Sequence, residues 1–363
     1  MKVLIIGFTK MAYMPYMKLY LDEMKNKKCE VHLFYWNRDE KEDIRVPDNL
    51  ITHEFHLTQK DEQPKWTKII NFIKYRKYAK KTIDLVKPDR IIVLSTLPAV
   101  LLSKTLCKGY KCKYIFDYRD ITFEKLSIFR SIISKIVNNS YCTMVSSDAY
   151  RRYLPRDKNI YSIHNIIPDA LLRRDIRNKT SRNHKPIRIR YWGFIRHEEI
   201  NKQFINKFFN DDRFELYYHG RIEKTAQNLL QHCKDNNFTN VFFHGSYLPE
   251  DKYKIIEDTD IIHNVYNNDF QTQQAMGNKY YDGLIHYLPQ ICNKGSFMGE
   301  LIDKHGTGIN INLETKDVSQ KIFEYYRSID WDLFKNRTDI ALESAIGELV
   351  KCRNVIKKFL DKR

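Results

Sequence analysis

The sequence predicts an α/β chain built from two doubly wound parallel sheets joined by one polar linker. Three observations predict it. Short, nearly continuous apolar runs alternate with amphipathic helical patterns through both halves. The alternation breaks over 171–186, where Arg, Asn, Ser and Lys displace apolar residues up to Pro186. At 363 residues the chain also exceeds what one hydrophobic core usually organises.

In the first half, strands are expected at Val3–Ile6, Glu30–Tyr35, Ile91–Ser95, Lys113–Asp117, Thr143–Ser146 and Ile160–His164. Helical patterns lie between them at Met14–Lys27, Trp66–Val86, Pro98–Cys107 and Ile128–Val137. Strands apolar on both faces demand helices on both faces, which makes this a Rossmann-like domain. After the linker the alternation restarts with strands at Ile187–Trp192, Phe214–Tyr218, Val241–His244, Ile261–Asn264, Gln290–Cys292 and Gly308–Ile311. Its helices are expected at Glu198–Phe209, Thr225–Lys234, Glu250–Asp258, Lys279–His286 and Phe297–His305, followed by Ser319–Ser328 and Leu342–Phe359. The expected organisation is a domain over 1–170, a linker over 171–186, a second Rossmann-like domain over 187–335, and a terminal helix over 336–363 that returns to the first domain.

Composition narrows the function classes. A hydrophobic content of 42% excludes general disorder. No apolar run is long enough to span a bilayer, and the start lacks a small-residue cleavage site, so a cytoplasmic location is expected. The seven cysteines are scattered without a C-x-x-C pair, which suits reduced thiols. Net charge is +17: residues 1–170 hold +12, residues 171–190 hold +7, and the remainder holds −2. The positive field therefore belongs to the first half and the connecting segment, which points to an anionic partner for that half. The stretch Lys65–Ile83 has seven basic residues, no acid, and apolar residues at helical spacing. A basic amphipathic helix can lie on an anionic membrane surface, and it can equally be a core-packed helix with a solvated face.

Candidate chemistry sits where strands end, because open α/β sheets present ligand-binding groups at their carboxyl edge. Asp117-Tyr118-Arg119-Asp120 follows one strand, and two acids around an arginine can hold one another ionised or simply form a salt-bridged strand end. Tyr191-Trp192-Gly193-Phe194-Ile195-Arg196 places a glycine, open to backbone approach, beside a cation that can neutralise phosphate. His219-Gly220-Arg221 and His244-Gly245-Ser246-Tyr247 repeat the strand–glycine ending. Asn278-Lys279-Tyr280-Tyr281-Asp282-Gly283-Leu284 puts a lysine and an acid on one helical face, before the strand around Leu288-Pro289-Gln290-Ile291. Taken alone, Lys279 and Asp282 also read as a solvated surface pair. Walker and G-x-G-x-x-G patterns are absent, and no clustered Cys/His spacing suggests a metal.

These segments, in this order, resemble the retaining GT-B glycosyltransferases of the family 4 type, in which two Rossmann-like domains face across a cleft. The resemblance implies that Asp120, with Arg119 and Asp117, lies near the acceptor and the reacting sugar. It also places Gly7 and Lys10 of the first βα turn on the acceptor side, although a tight turn explains a lone glycine there. His164-Asn165-Ile166-Ile167-Pro168-Asp169 is similar to the turn where such chains prepare to change domain. Gly193 and Arg196 match the family's diphosphate-binding element, Tyr247 is a base-contacting candidate, and Asn278 and Lys279 join the donor side. Family members carry two glutamates eight residues apart. Asp282 stands at the second position, where the acid binds ribose hydroxyls, and Gln274 stands at the first.

The resemblance implies a retaining, metal-independent transfer of sugar from a nucleotide-diphosphate donor, with no cofactor. The implied acceptor is a saccharide, lipid-linked through polyprenyl diphosphate, in bacterial surface polysaccharide synthesis, with the protein peripheral on the inner face of the membrane. Two alternatives stay open: a basic nucleic-acid-binding protein, and a catalytically inactive scaffold, which the Gln274 departure would explain. The absence of a known nucleic-acid-binding module weighs against the first, so no nucleic-acid partner is expected.

Overall fold

Val3, Leu4, Ile5 and Ile6 are apolar at every position, so the strand they form can only lie inside a sheet covered on both faces. A computed structural model describes residues 1–39, 43–47, 49–59, 64–156, 158–166, 168–175 and 186–361. The chain divides into two units, Met1–His164 with Gly347–Arg363, and Asn165–Ile346.

The first unit opens with β1 (Lys2–Ile6), α1 (Met17–Met24), β2 (Glu30–Asn37), β3 (Leu50–His56) and α2 (Lys65–Val86). It continues with β4 (Arg90–Leu94), α3 (Thr96–Leu101), α4 (Ser103–Gly109), β5 (Tyr114–Tyr118), α5 (Ser127–Asn139), β6 (Cys142–Val145) and β7 (Ile160–Ser162). Its strands form one parallel sheet in the order β3-β2-β1-β4-β5-β6-β7. Right-handed crossovers then put α2, α3, α4 and α5 in one layer, in which α2 touches α3, and α5 touches both α3 and α4. Phe8, Trp36, Phe55, Phe72 and Tyr75 pack ring against ring beneath α2. Each such pair contributes about 0.5–1.5 kcal/mol beyond area burial. The long helix α2 stops where Lys87 turns left-handed (φ 48°) before Pro88, which cannot continue a helix.

The strand β3 was not expected. Its sequence, Leu-Ile-Thr-His-Glu-Phe-His, lacks a continuous apolar run because it occupies the sheet edge, where only Leu50 and Phe55 are buried.

The second unit contains α6 (Pro168–Leu171), β8 (Ile187–Trp192), α7 (Glu198–Asn206), β9 (Phe214–His219), α8 (Lys224–Asp235), β10 (Val241–Phe243) and α9 (Lys252–Glu257). Then follow β11 (Ile261–Asn264), α10 (Asn278–Ile285), β12 (Gln290–Asn293), α11 (Phe297–His305), β13 (Gly308–Ile311) and α12 (Val318–Arg327). Its parallel sheet runs β10-β9-β8-β11-β12-β13, with Phe204, Phe208, Leu216 and Ile291 in the core. The order reverses at β8, so the ends of β8 and β11 border the topological switch point where such sheets bind ligands.

The last helix, α13 (Trp331–Asp361), begins eleven residues before the expected Leu342, because Asp330 accepts the backbone N–H groups of Asp332 and Leu333. Its residues up to Ile346 group with the second unit, where Asp339 holds Arg174 and the Tyr287 hydroxyl. From Gly347 on they group with the first unit. There Arg353 pairs with Glu23, and the Cys352 thiol donates to the Ser162 carbonyl. Of the expected linker, residues 176–185 lie outside the described residues. Arg174, at its start, is held within the second unit by Asp339 and by the Ile285 carbonyl.

Candidate functional site

In the second unit three neighbouring strand ends finish in glycine. The backbone ladder continues past the strands, with the Gly193 N–H bonded to the His219 carbonyl at 2.9 Å and the Gly220 N–H to the Gly245 carbonyl at 2.7 Å. Gly193 and Gly245 have φ of 111° and 73°, which side-chain-bearing residues rarely adopt. A Cβ on Gly220 would lie 2.1 Å from the Gly193 carbonyl oxygen, while the same addition at Gly193 meets nothing within 4 Å. The result is a ledge of bare backbone at the carboxyl edge of β8, β9 and β10.

Lys279 and Asp282 stand next to this ledge, one turn apart on α10, and both are buried at 6% exposure. That burial excludes the solvated surface pair. The Lys279 ammonium donates to the Tyr266 hydroxyl at 2.7 Å and to the Trp192 carbonyl at 3.3 Å, and it lies 3.8 Å from the centre of the Tyr191 ring. Burial drives its pKa down to about 7, and the cations Arg196 and Lys252 push the same way against the opposing charge of Asp282. Asp282 accepts from the Trp192 indole at 3.1 Å through Oδ2 and from the Lys252 ammonium at 2.8 Å through Oδ1. The pair is thus held by β8 and α9 as well as by its own helix.

The remaining donor-side candidates differ in burial and contacts. Arg196 is exposed, in the loop after β8, and its backbone carbonyl and that of His197 both accept from the buried Asn201 amide. His197 has a left-handed backbone (φ 65°), and its Nε2 is buried with no hydrogen-bond partner among the described residues. Burial and the Arg196 charge hold that imidazole below its usual pKa. Tyr247 packs against the cluster of Trp192, Ile255, Ile256, Ile262 and Leu288, and burial with the Asp282 charge raises its hydroxyl pKa. Gln274 ends a short 3-10 turn and is half-buried, whereas Asn278 is exposed and accepts from the Asn165 amide. Beside Asp282 opens a cavity of about 470 Å³, whose wall includes Arg173, Lys252, Tyr253 and His286.

In the first unit the Asp117–Arg119–Asp120 segment splits by depth. Asp117 is fully buried and receives the Tyr20 hydroxyl at 2.9 Å and the Arg119 Nε at 3.1 Å. Burial raises its carboxyl pKa, opposed by the adjacent guanidinium. Arg119 is buried too and lies 3.7 Å from the centre of the Tyr16 ring. Asp120 is the exposed member, and its carboxylate accepts from Ser95 at 3.3 Å, at the end of β4. Ser95 itself has φ 78°, a strained conformation for serine. Lys10 is almost wholly buried and is bonded to Asp39 at 2.5 Å. Gly7 accepts the Tyr75 hydroxyl at 2.7 Å through its carbonyl, a turn-stabilising role.

Sequence reasoning missed Trp192 as the partner of Asp282, and also missed Lys252, Tyr266 and His197. Tyr266 was findable, since it lies just past the end of β11 at the switch point. Lys252 carried no signal, being joined to Asp282 only by the fold. Among the described residues no group of three or more His, Cys, Asp or Glu is placed to hold a metal ion. No described helix is long and apolar enough to cross a membrane.

No protein-family model matches the sequence, and no curated protein matches it. Solved structures do resemble it along its whole length. A sucrose-phosphate synthase from Thermosynechococcus elongatus superposes with a TM-score of 0.74 at 11% identity, covering 99% of both chains. Anabaena HepE, in complex with UDP and glucose, gives 0.66 at 12% identity over 99% of both. A glycosyltransferase from Rickettsia africae gives 0.63 at 13% identity over 100% of both. At such identities the likeness establishes architecture, and that architecture is the GT-B fold.

Proposed function

We propose that this chain is a glycosyltransferase that takes a sugar from a nucleotide-diphosphate donor bound in its second unit. The observation that carries the reading is the buried pair Lys279 and Asp282, set beside a side-chain-free backbone ledge at the sheet's switch point. Burying an ammonium and a carboxylate costs several kcal/mol each, an expense a purely structural helix avoids by using apolar residues. A ligand with anionic phosphates and ribose hydroxyls uses both groups. Lys279, Arg196 and the backbone around Gly193 face the diphosphate, and Asp282 accepts from the ribose. Tyr247 and the cavity beside Lys252 lie toward the nucleoside. The UDP complex of Anabaena HepE supports UDP as the first nucleotide to try.

In this reading the acceptor belongs to the first unit, with Asp120 orienting acceptor or sugar and the Asp117–Arg119 pair holding its loop. The leaving diphosphate is stabilised by cations and backbone N–H groups, and transfer proceeds without a bound metal and with retention at the anomeric carbon. The acceptor is a lipid-linked saccharide of surface polysaccharide synthesis, reached from an anionic membrane surface. A thermal-shift panel of UDP, GDP, CDP and their sugars tests the proposal, repeated on Asp282→Ala. Nucleotide-dependent stabilisation that disappears in Asp282→Ala is expected. No stabilisation by any nucleotide at saturation would overturn the reading.

A further inference from the structure

We infer that one edge of the first unit inserts into an anionic phospholipid bilayer through two apolar tips, one on α2 and one before and within α5. The inference rests on the membrane-side acceptor proposed above and specifies the surface that meets the lipid.

The α2 tip is Trp66, Ile69, Ile70 and Ile73, which share one helical face over about 10 Å of axis. A face with such residues normally turns to the core, yet Trp66 is 66% exposed and Ile73 61%. The core side of α2 is instead supplied by Tyr75, Ala79, Ile83 and Val86. Along the exposed face the apolar residues give way to Lys77, Lys80 and Lys81, so one stripe changes from apolar to cationic toward the C-terminus. Asp84 stands one turn further on. The second tip is Phe123, Leu126 and Ile128, with Ile128 73% exposed. The buried Phe129 props Phe123 from below through an edge-on ring contact at 5.6 Å. Lys125, Arg130 and Lys135 are exposed around it.

Both tips begin helices that leave the carboxyl edge of the same parallel sheet, and those helices belong to the same layer. The tips therefore project from one edge, which is also the edge where Asp120 is exposed. Charge selects the partner. The helices α2 to α5 carry eleven Lys and Arg and one acid, whereas α1, which crosses between β1 and β2 in the opposite direction and so covers the other face, has Lys18, Asp22 and Glu23. A second copy docking through this layer would bring cations against cations. An anionic bilayer satisfies both features at once, since its headgroups take the lysines and its acyl boundary takes the isoleucines and aromatics.

Co-sedimentation of the full chain with vesicles tests this. The comparison is between phosphatidylcholine alone and a mixture with roughly one-third phosphatidylglycerol. Binding only to the anionic vesicles is expected, with a shift of tryptophan emission to shorter wavelength that Trp66→Phe removes. Ile69→Glu with Ile73→Glu, or Phe123→Ser with Ile128→Glu, should each weaken partitioning at least about tenfold. The control Ile340→Glu, at an exposed position of α13, should leave it unchanged. Melting temperature and nucleotide-induced stabilisation, read on the same variants, keep misfolding and the donor reading separate from lipid binding. Vesicle binding indifferent to both tips would overturn the inference. So would a concentration-dependent dimer, or oligonucleotide binding, abolished by the same substitutions in place of lipid binding.

Discussion

The Trp192 indole and the Asp282 carboxylate, ninety residues apart, meet at 3.1 Å inside the second unit. The bond ties the last residue of β8 to the middle of α10, while Lys252 occupies the other carboxylate oxygen. An acid held on both sides keeps its rotamer before any ligand arrives. Trp192→Phe keeps an aromatic ring, removes the donor and leaves a small void where the second ring stood. It should cost the fold about 1–2 kcal/mol and weaken nucleotide binding several-fold. Asp282→Asn should weaken nucleotide binding more strongly and leave the ammonium of Lys252 without its counter-charge. Calorimetric titration with UDP on both variants checks the order. Equal affinity in Asp282→Asn and the natural protein would remove Asp282 from the site.

With Lys279 facing the diphosphate as proposed, nucleotide binding should depend on pH. The Lys279 ammonium titrates near 7 in the ligand-free fold, and a diphosphate beside it favours the charged form. Binding then takes up a proton, and affinity should fall as pH rises above about 7. Stability moves the other way. The unfolded chain keeps this lysine protonated up to about 10.4, whereas the folded chain releases the proton near 7. Between those values the unfolded state binds more protons, so this group's contribution to stability rises with pH across that window. In Lys279→Met both slopes should flatten. Proton uptake is read from titrations in buffers of different ionisation enthalpy, and stability from denaturant melts at a series of pH values.

The ledge predicts a graded response to single methyl groups. Gly220→Ala must push its Cβ against the Gly193 carbonyl at 2.1 Å, so the strand ends have to separate. Gly193→Ala meets no atom but must adopt φ 111°. Each should cost about 1–3 kcal/mol of stability. Gly220→Ala should cost the more, because backbone cannot yield as a flexible side chain does. Gly193→Ala should instead show the larger loss of nucleotide affinity relative to its loss of stability, since its Cβ would occupy the open face of the ledge.

The fold was legible because buried parallel strands read as near-continuous apolar runs, as Val3–Ile6 of β1 and Ile91–Leu94 of β4 do, while β8 and β11 keep enough of that pattern despite Arg188, Arg190, His263 and Asn264. The edge strand β3 escaped because an edge needs only part of its residues apolar. At the candidate site, helical spacing alone placed Lys279 and Asp282 on one face of α10, and strand-end position pointed to Gly193. What spacing does not carry is depth. Lys10, which the resemblance places on the acceptor side, is buried and paired with Asp39, and of the Asp117–Arg119–Asp120 run only Asp120 reaches the surface. The contacts of Trp192 and Lys252 with Asp282 are products of tertiary packing, and no local pattern encodes them.

That difference in depth separates two effects in the first unit. Asp117 is buried with Arg119 and Tyr20, so Asp117→Asn removes a charge from a sealed pair and takes the Asp117 counter-charge away from the guanidinium. Breaking such a pair typically costs about 3–5 kcal/mol, and it should appear as a lowered melting temperature whether or not substrate is present. Asp120 is exposed and its carboxylate is held by Ser95, so Asp120→Asn should leave stability within about 0.5 kcal/mol. Nucleotide binding, which the proposal assigns to the second unit, should also persist. If Asp120 orients acceptor or sugar, the loss falls on turnover with KM for the donor nearly unchanged. The pair of variants measured side by side, by thermal melt, UDP titration and sugar transfer from the donor, distinguishes a catalytic group from its scaffold. Full transfer activity in Asp120→Asn would take Asp120 out of the reaction and leave the segment a strand-end salt bridge.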